Sequence, residues 1–253
     1  MAIQGDLAQI YTGLPVQVKE CKIAITQPNI RDICAFGEDN FLASIQLFTR
    51  IEAIVSPVKE GNSRLAMLDD FQVLLIILNE DNMTKSQILA FFSLIFPDYI
   101  VRFDPGSISF LVEGEKRIVG QINPMNFEFF QKMLNNVFLP KGSDTEVDYN
   151  PANDAAAKIA EKLKEGNKKR QQMALEKEKD AGGSLFSNYV SILSVGLSMS
   201  INMLLDYTPF QLYDTFTRYT TKLAYDLYQK VSTTPMMDTS KMTEPKNWMD
   251  NLY

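Results

Sequence analysis

The chain has 253 residues, of which 45% are hydrophobic and 22% are charged, so it can build a hydrophobic core of ordinary composition. Its net charge of −6 argues against nucleic-acid binding as the main activity, because phosphate neutralisation needs a basic surface. Histidine is absent, which removes Ser-His-Asp and Cys-His nucleophile pairs, the imidazole base and most transition-metal sites.

Residues 1–140 are predicted to form an α+β domain. Partial alternation of apolar residues predicts a strand over 16–25, and Gln27-Pro28-Asn29 starts a short helix. Further helices are predicted over 39–54 and 64–80, the second capped by Ser63. The two cysteines, Cys21 and Cys34, lack disulfide-scaffold character and are predicted to be buried thiols in a reducing cytoplasm.

The second half of this domain is predicted to hold a helix, a small antiparallel meander and a closing helix. Capping-box spacing at 84–87 opens the helix, and Pro97 ends it. Turn residues then separate three short strands, and Asn123-Pro124 begins the closing helix to about Phe138. The predicted strands cover residues 100–103, 107–112 and 115–122.

Residues 141–182 are predicted to be a charged helical linker. Charges of both signs are interspersed along it, which is typical of a solvated helix or tether. An alternative is phosphate or membrane-surface binding by Lys168-Lys169-Arg170. Gly182-Gly183 marks the boundary to a third region, residues 183–253, predicted to be a helical hairpin followed by a tail.

Residues 184–205 carry no charge and are long enough in principle to cross a bilayer. Six serines and two asparagines make such a crossing costly, and basic flanks and aromatic belts at both ends are missing. Ser187, Ser191, Ser194 and Ser198 form a stripe of small residues that lets a neighbouring helix approach closely. We therefore predict a helix buried in an assembly, with a membrane span as the alternative.

Residues 209–231 are predicted to form an amphipathic helix. Thr208 and Gln211 have capping-box spacing, and Pro209 suits the first turn. An apolar stripe either packs in the core or binds a partner, and the opposite charged row is expected to face water. The stripe comprises Phe210, Tyr213, Phe216, Tyr219, Leu223, Leu227 and Val231, and the row Asp214, Arg218, Lys222, Asp226 and Lys230.

The tail after Val231 is rich in methionine and holds the only tryptophan. Thioether side chains adapt to varied apolar partners, and tryptophan often anchors interfaces. The tail is therefore either disordered or a docking segment. The candidate partner-binding residues are Phe210, Tyr213, Phe216, Tyr219, Leu223, Met236, Met237 and Trp248.

No motif for catalysis emerges. Asp69-Asp70 and Glu80-Asp81 are adjacent pairs that point to different helix faces, and there is no P-loop, nucleophile elbow or Cys-x-x-Cys. We predict a non-enzymatic protein without catalytic, metal or cofactor residues. The alternative is an enzyme with a carboxylate-held metal in residues 1–140.

The order of these parts resembles tail assembly proteins of tailed bacteriophages, notably the tail assembly chaperones. The residues that carry the resemblance are Gly13-Leu14-Pro15-Val16, Ile30-Arg31-Asp32-Ile33, Gly37-Glu38-Asp39-Asn40-Phe41, Leu68-Asp69-Asp70-Phe71, and Tyr207 to Asp214 followed by the aromatic helix and Trp248. These patterns are short, and the family has no signature from which binding residues carry over.

The resemblance implies a role in building a phage tail. Such a protein would keep a tape-measure protein soluble or recruit tail-tube subunits, and a baseplate or hub component is similar in outline. The expected partners are tape-measure, tube or baseplate proteins, with self-association into a homo-oligomer left open and no nucleic acid. The expected location is the host bacterial cytoplasm, or else the virion tail. A membrane-associated factor anchored by residues 184–205 is the remaining alternative.

Overall fold

The computed structural model describes residues 4–112, 117–138, 184–233, 244–245 and 247–250. It confirms a mixed α+β fold, mostly helical, with two small antiparallel sheets and C-terminal helices. The predicted charged linker, residues 141–182, lies outside the described residues. The helices are α1 Gln4–Thr12, α2 Ile30–Phe36, α3 Glu38–Thr49, α4 Ile51–Glu60, α5 Asp70–Glu80, α6 Asn82–Ile95, α7 Phe127–Phe138, α8 Leu185–Leu197, α9 Ile201–Leu205 and α10 Pro209–Ser232.

The two sheets are a hairpin and a meander. The hairpin pairs β1 (Val16–Val18) with β2 (Ile23–Ile25), and the meander joins β3 (Ile100–Asp104), β4 (Ser107–Leu111) and β5 (Ile118–Ile122) in chain order. The single strand predicted over 16–25 is therefore wrong. The chain reverses between the two strands, with Lys22 at φ 55°, so that the apolar residues at both ends of the segment become buried.

Three predicted helices differ from the structure in ways that have local causes. The helix predicted over 39–54 divides at Arg50, whose backbone is not helical, into α3 and α4. The helix predicted from residue 64 begins instead at Asp70, where Asp69 and Gln72 form a capping box, after a short 3-10 turn. The closing helix begins at Phe127 rather than at Pro124.

A cluster of phenylalanines forms the centre of the core. Phe96 and Phe110 meet edge to face with ring centroids 4.8 Å apart, and Phe48 stacks on Phe92 at 5.3 Å. These rings come from α3, α6 and β4, and Phe130 of α7 joins them at 5.7 Å from Phe48. Aromatic pairs in such geometries add to the free energy gained from burial. The meander and the helices are therefore held by one shared apolar layer.

The C-terminal helices pack on this same core. Phe186 of α8, Leu204 of α9 and Phe210 of α10 are buried with it. The amide of Ile30 donates to the carbonyl oxygen of Tyr207 at 2.9 Å, which ties α2 to the start of α10. The division of the chain into regions 1–140, 141–182 and 183–253 stays a prediction.

Residues 184–205 do not form one continuous helix. Ser198 adopts the left-handed conformation (φ 54°) and separates α8 from α9. In the part of the chain that the structure describes, no single helix has the length and apolar character to cross a bilayer. The pair α3 and α4 meets that criterion jointly, with a bend of 67° between them.

Gly120 of β5 lies where the two sheets meet, and the amide of Gln121 donates to the carbonyl oxygen of Cys21 at 2.9 Å. A Cβ at Gly120 would lie 2.5 Å from Ile23 Cγ2 and 2.6 Å from the carbonyl oxygen of Lys22. We expect Gly120→Ala to lower the free energy of unfolding by about 1–3 kcal/mol, as overpacking does. Gly106→Ala is the control, because nothing lies within 4 Å of its Cβ position. Equal urea midpoints for the two variants would contradict this contact.

The two cysteines differ in exposure. Cys21 is buried, and burial raises its pKa to about 12. Cys34 is exposed, contrary to the sequence prediction, although partial desolvation and the nearby charge of Glu38 raise its pKa as well. Because the thiolate is the reactive form, we expect iodoacetamide at pH 8 to modify Cys34 alone in the folded protein. Cys21 should react only after denaturation. Mass spectrometry checks both, and prompt double labelling of the native protein would contradict the burial of Cys21.

Candidate partner-binding surface

The sequence sets the start of α10, as predicted. Thr208 accepts a hydrogen bond from the amide of Gln211, the side chain of Gln211 accepts one from the amide of Thr208, and Pro209 occupies the first turn. This capping box satisfies amides that would otherwise lack partners at the helix start. It fixes where α10 begins and hence which residues face the core.

The first half of the apolar stripe packs within the chain. Phe210 is buried and meets Tyr11 of α1 edge to face, with ring centroids 5.6 Å apart. Phe216 stacks on Tyr189 of α8 at 4.2 Å, and Tyr213 lies 6.3 Å from that same ring. These three predicted partner-binding residues therefore make intramolecular contacts.

The close approach of α8 and α10 occurs at a glycine rather than at the serine stripe. A Cβ at Gly196 would lie 2.3 Å from the hydroxyl oxygen of Tyr219, so only glycine leaves room for that ring. Ser187 and Ser191 are exposed, and the hydroxyl of Ser194 donates to the carbonyl oxygen of Met199. The serine stripe does not make this contact with α10, and its role in admitting a helix of a partner stays a prediction. Tyr219 is a fourth candidate in an internal contact.

Asp214 does not face water as the charged row predicted. It is 3% exposed, accepts a hydrogen bond from the hydroxyl of Tyr11, and pairs with Arg218 at 3.1 Å. Burial, together with the hydrogen bond to Asp214, raises the pKa of Tyr11, so its hydroxyl remains a donor at neutral pH. The sequence did not reveal this contact, because Tyr11 lies on α1, a helix that the sequence analysis did not predict.

Arg218 also holds part of the tail. Its guanidinium donates to the backbone carbonyl of Trp248 at 2.8 Å, and the indole of Trp248 is half-buried. This hydrogen bond places Trp248 next to α10. Met236 and Met237, two further candidates, are outside the described residues.

The second half of the apolar stripe on α10 extends beyond the end of α8. From Thr220 to Ser232 no residue of α10 is fully buried, and Leu223 and Leu227 are 49% and 62% exposed. Tyr219, one turn before Leu223, contacts the end of α8, where Val195 and Leu197 are also exposed. We call Leu223 and Leu227 the distal apolar surface. Val195 lies in a separate groove, which Ile30 of α2 and Ile201 of α9 also line.

Two exposed apolar residues at the end of α8 were missed by the sequence analysis. Val195 and Leu197 were not singled out, although they lie in the charge-free segment beside the glycine that meets Tyr219. Their sequence signal is weak, since an apolar residue in an apolar helix does not reveal which neighbours cover it. Val195, at 83% exposed, is nonetheless among the most exposed large apolar side chains described.

Residues 176–253 match the model of a protein family described as the YomV second domain. The match includes α8, α9, α10 and the tail with Trp248. The family name is associated with phages, so the C-terminal part of this chain is similar to a phage-related family. No curated protein and no solved structure matches the chain.

The buried network around Asp214 can be tested against a matched exposed pair on the same helix. Asp214→Ala should lower the free energy of unfolding by about 2–3 kcal/mol, because it leaves Tyr11 and Arg218 without their charged partner. Asp226→Ala removes a carboxylate that forms a solvent-exposed ion pair with Lys222 at 2.8 Å. It should change the free energy of unfolding by no more than about 1 kcal/mol. Chemical denaturation measures both, and equal losses would show that Asp214 is solvated.

Proposed function

We propose that this protein is a non-enzymatic phage tail assembly protein that binds helical segments of tail proteins through the distal apolar surface. The observation that carries the proposal is that the α10 stripe runs beyond the end of α8. Its first half packs against other described residues of the chain, while Leu223 and Leu227 are 49% and 62% exposed. The similarity of this same region to a phage-associated family supports the phage setting.

The geometry suits a helical partner. The part of α10 beyond Tyr219, from Thr220 to Ser232, is about 20 Å long at 1.5 Å per residue, which is enough to lie along several turns of another helix. Leu223 and Leu227 are four residues apart, so they form one ridge on the helix surface. A partner helix with apolar residues at three- and four-residue steps would pack beside this ridge.

The charges next to the ridge favour a contact that is specific but reversible. Lys222 and Asp226 form an exposed ion pair beside Leu223, and such pairs contribute little to stability on their own. They remain solvated at the rim when a partner covers the leucines. An assembly chaperone needs this balance, because it releases its client when the tail forms.

The expected client is a tape-measure protein, with tube or baseplate proteins as further partners. Long helical clients expose apolar stripes before assembly, and covering a stripe prevents aggregation. A permanent baseplate or hub component would use the same surface. The two roles differ in one measurable respect, because a chaperone is missing from purified virions and a structural component is present in them.

The test replaces the two leucines with serine. Leu223→Ser/Leu227→Ser should reduce by at least about tenfold the amount of the same phage's tape-measure protein kept soluble on co-expression. The melting temperature should change little, because both side chains are exposed. Gln229→Ser is the control, since it places a serine on an exposed position of the same helix on the side away from the ridge.

Phe216→Ala tests the packing of α10 against α8. Phe216 is half-buried against Tyr189, so its loss should lower the free energy of unfolding by about 2 kcal/mol, less than for a fully buried phenylalanine. An unchanged melting temperature for Phe216→Ala would show that α8 and α10 are not packed as described.

Full solubilisation of the client by Leu223→Ser/Leu227→Ser would refute binding at the distal apolar surface.

A further inference from the structure

A second open face of the molecule lies between α2, α8 and α9. A groove of about 320 Å³ runs there, and its lining is mainly apolar. The lining residues that carry the argument are Ile30 and Cys34 of α2, Ser191 and Val195 of α8, and Ile201 of α9. We call it the α8–α9 groove. It is separate from the distal apolar surface, whose two leucines do not line it.

The α8–α9 groove combines a recess with apolar side chains beside it. Ser187, Ser191 and Ser194 line it, and their small side chains leave room for another helix to approach closely. Val195 and Ile201 line the same groove and are 83% and 54% exposed. One face therefore offers both a recess and the apolar side chains that can fill a recess, which makes it complementary to itself.

The exposed apolar side chains of this region make the isolated chain unfavourable in water. Helices α8 and α9 hold 13 and 5 residues, and five large apolar side chains on them are at least 40% exposed. Exposed apolar surface concentrated in this way marks an interaction site. The five side chains are Ile192, Val195, Leu197, Ile201 and Met203.

The groove also lacks charge. No aspartate, glutamate, lysine or arginine lines it, and the sequence from Gly182 to Leu205 contains none. Arg31 and Asp206, which adjoin lining residues in the sequence, pair with each other at 3.0 Å. The groove is thus a neutral region on a chain whose net charge is −6.

This neutrality favours a second copy of the chain as the occupant. In a two-fold symmetric dimer, side chains near the axis meet their own copies, so that a charged side chain there would face a like charge. Two copies with a net charge of −6 each repel one another through their charged surfaces. A neutral apolar face avoids the close contact of like charges that opposes self-association elsewhere.

The size of the face sets the expected strength of the contact. Helix α8 is about 20 Å long at 1.5 Å per residue, and a helix is about 10–12 Å wide, so a face two helices wide measures about 400 Å² in outline. Stable interfaces of standard size bury about 800 Å² per partner. An association through this face is therefore reversible, with a dimer fraction that depends on protein concentration.

We propose that the α8–α9 groove is the interface of a reversible homodimer, in which α8 of each copy packs into the groove of the other. Val195 of one copy would lie over Ser191 of the other, and the reverse contact follows from the two-fold symmetry. The contact removes Val195 and Ile201 from water, which is the favourable term. This dimer does not depend on the proposed tail function, because the distal apolar surface is not part of it.

Analytical ultracentrifugation of the full-length protein tests the dimer. Between roughly 1 and 500 μM, the average mass should rise from that of the 28.7 kDa chain towards twice that value. Val195→Asp should raise the dissociation constant at least about tenfold, because it places a charge in an apolar contact. Ile201→Asp, on α9, should do the same. Met83→Asp is the matched control, since Met83 is 85% exposed on α6 and does not line the groove.

The thiol of Cys34 reports on the groove itself. It lines the groove and is exposed, so iodoacetamide should modify it more slowly as the protein concentration, and with it the dimer fraction, rises. Val195→Asp should remove this dependence on concentration, and Met83→Asp should retain it. Thermal melts of all three variants at low concentration establish that each is folded.

A dimer that Val195→Asp and Ile201→Asp leave unchanged would place the interface elsewhere and overturn the proposal. A wild-type protein that stays monomeric at every concentration would also overturn it. Rapid modification of Cys34 in that monomer would indicate a face left open for a different protein. Slow modification would indicate that the chain itself covers the groove.

Discussion

The first turns of α10 are held on two sides at once, and the arrangement of the C-terminal region depends on this. On one side the buried carboxylate of Asp214 meets Tyr11 and Arg218, and on the other Phe216 stacks on Tyr189. A buried charge is costly unless it is paired and hydrogen-bonded, so the carboxylate constrains α1 and α10 to one relative position. The aromatic stack then sets the position of α8.

This double constraint explains why a single amphipathic helix behaves as two different segments. Up to Tyr219 its apolar side chains are covered by the chain, and they contribute to stability. Beyond Tyr219 the helix extends past the end of α8 at Leu197, and Leu223 and Leu227 are more exposed there. The same periodic pattern therefore produces a core contact and an exposed ridge, and only the second is available to a partner. Continuity with the packed half keeps the exposed half helical and holds it in a defined direction.

Local patterns in the sequence were sufficient to predict much of the fold. The capping box at Thr208, the turn at Asp104-Pro105-Gly106 and the period of the stripe each depend on residues that are near one another in the chain. Their physical effects, namely satisfied amides, permitted backbone angles and a continuous apolar face, operate within a few residues. The mixed fold class, the meander and α10 were predicted for that reason.

The tertiary structure decided the features that depend on distant residues. Asp214 has the spacing of a solvent-facing residue, yet it is buried because Tyr11, 203 positions away, donates to it. Ser198 interrupts a segment that was predicted to be one helix. Gly196, rather than a serine, leaves room for the ring of Tyr219. The sequence by itself determined that α10 has an apolar face and where the helix begins. Which part of that face is covered was decided only by the length and position of α8, because burial depends on what lies opposite a side chain and not on its neighbours in the chain.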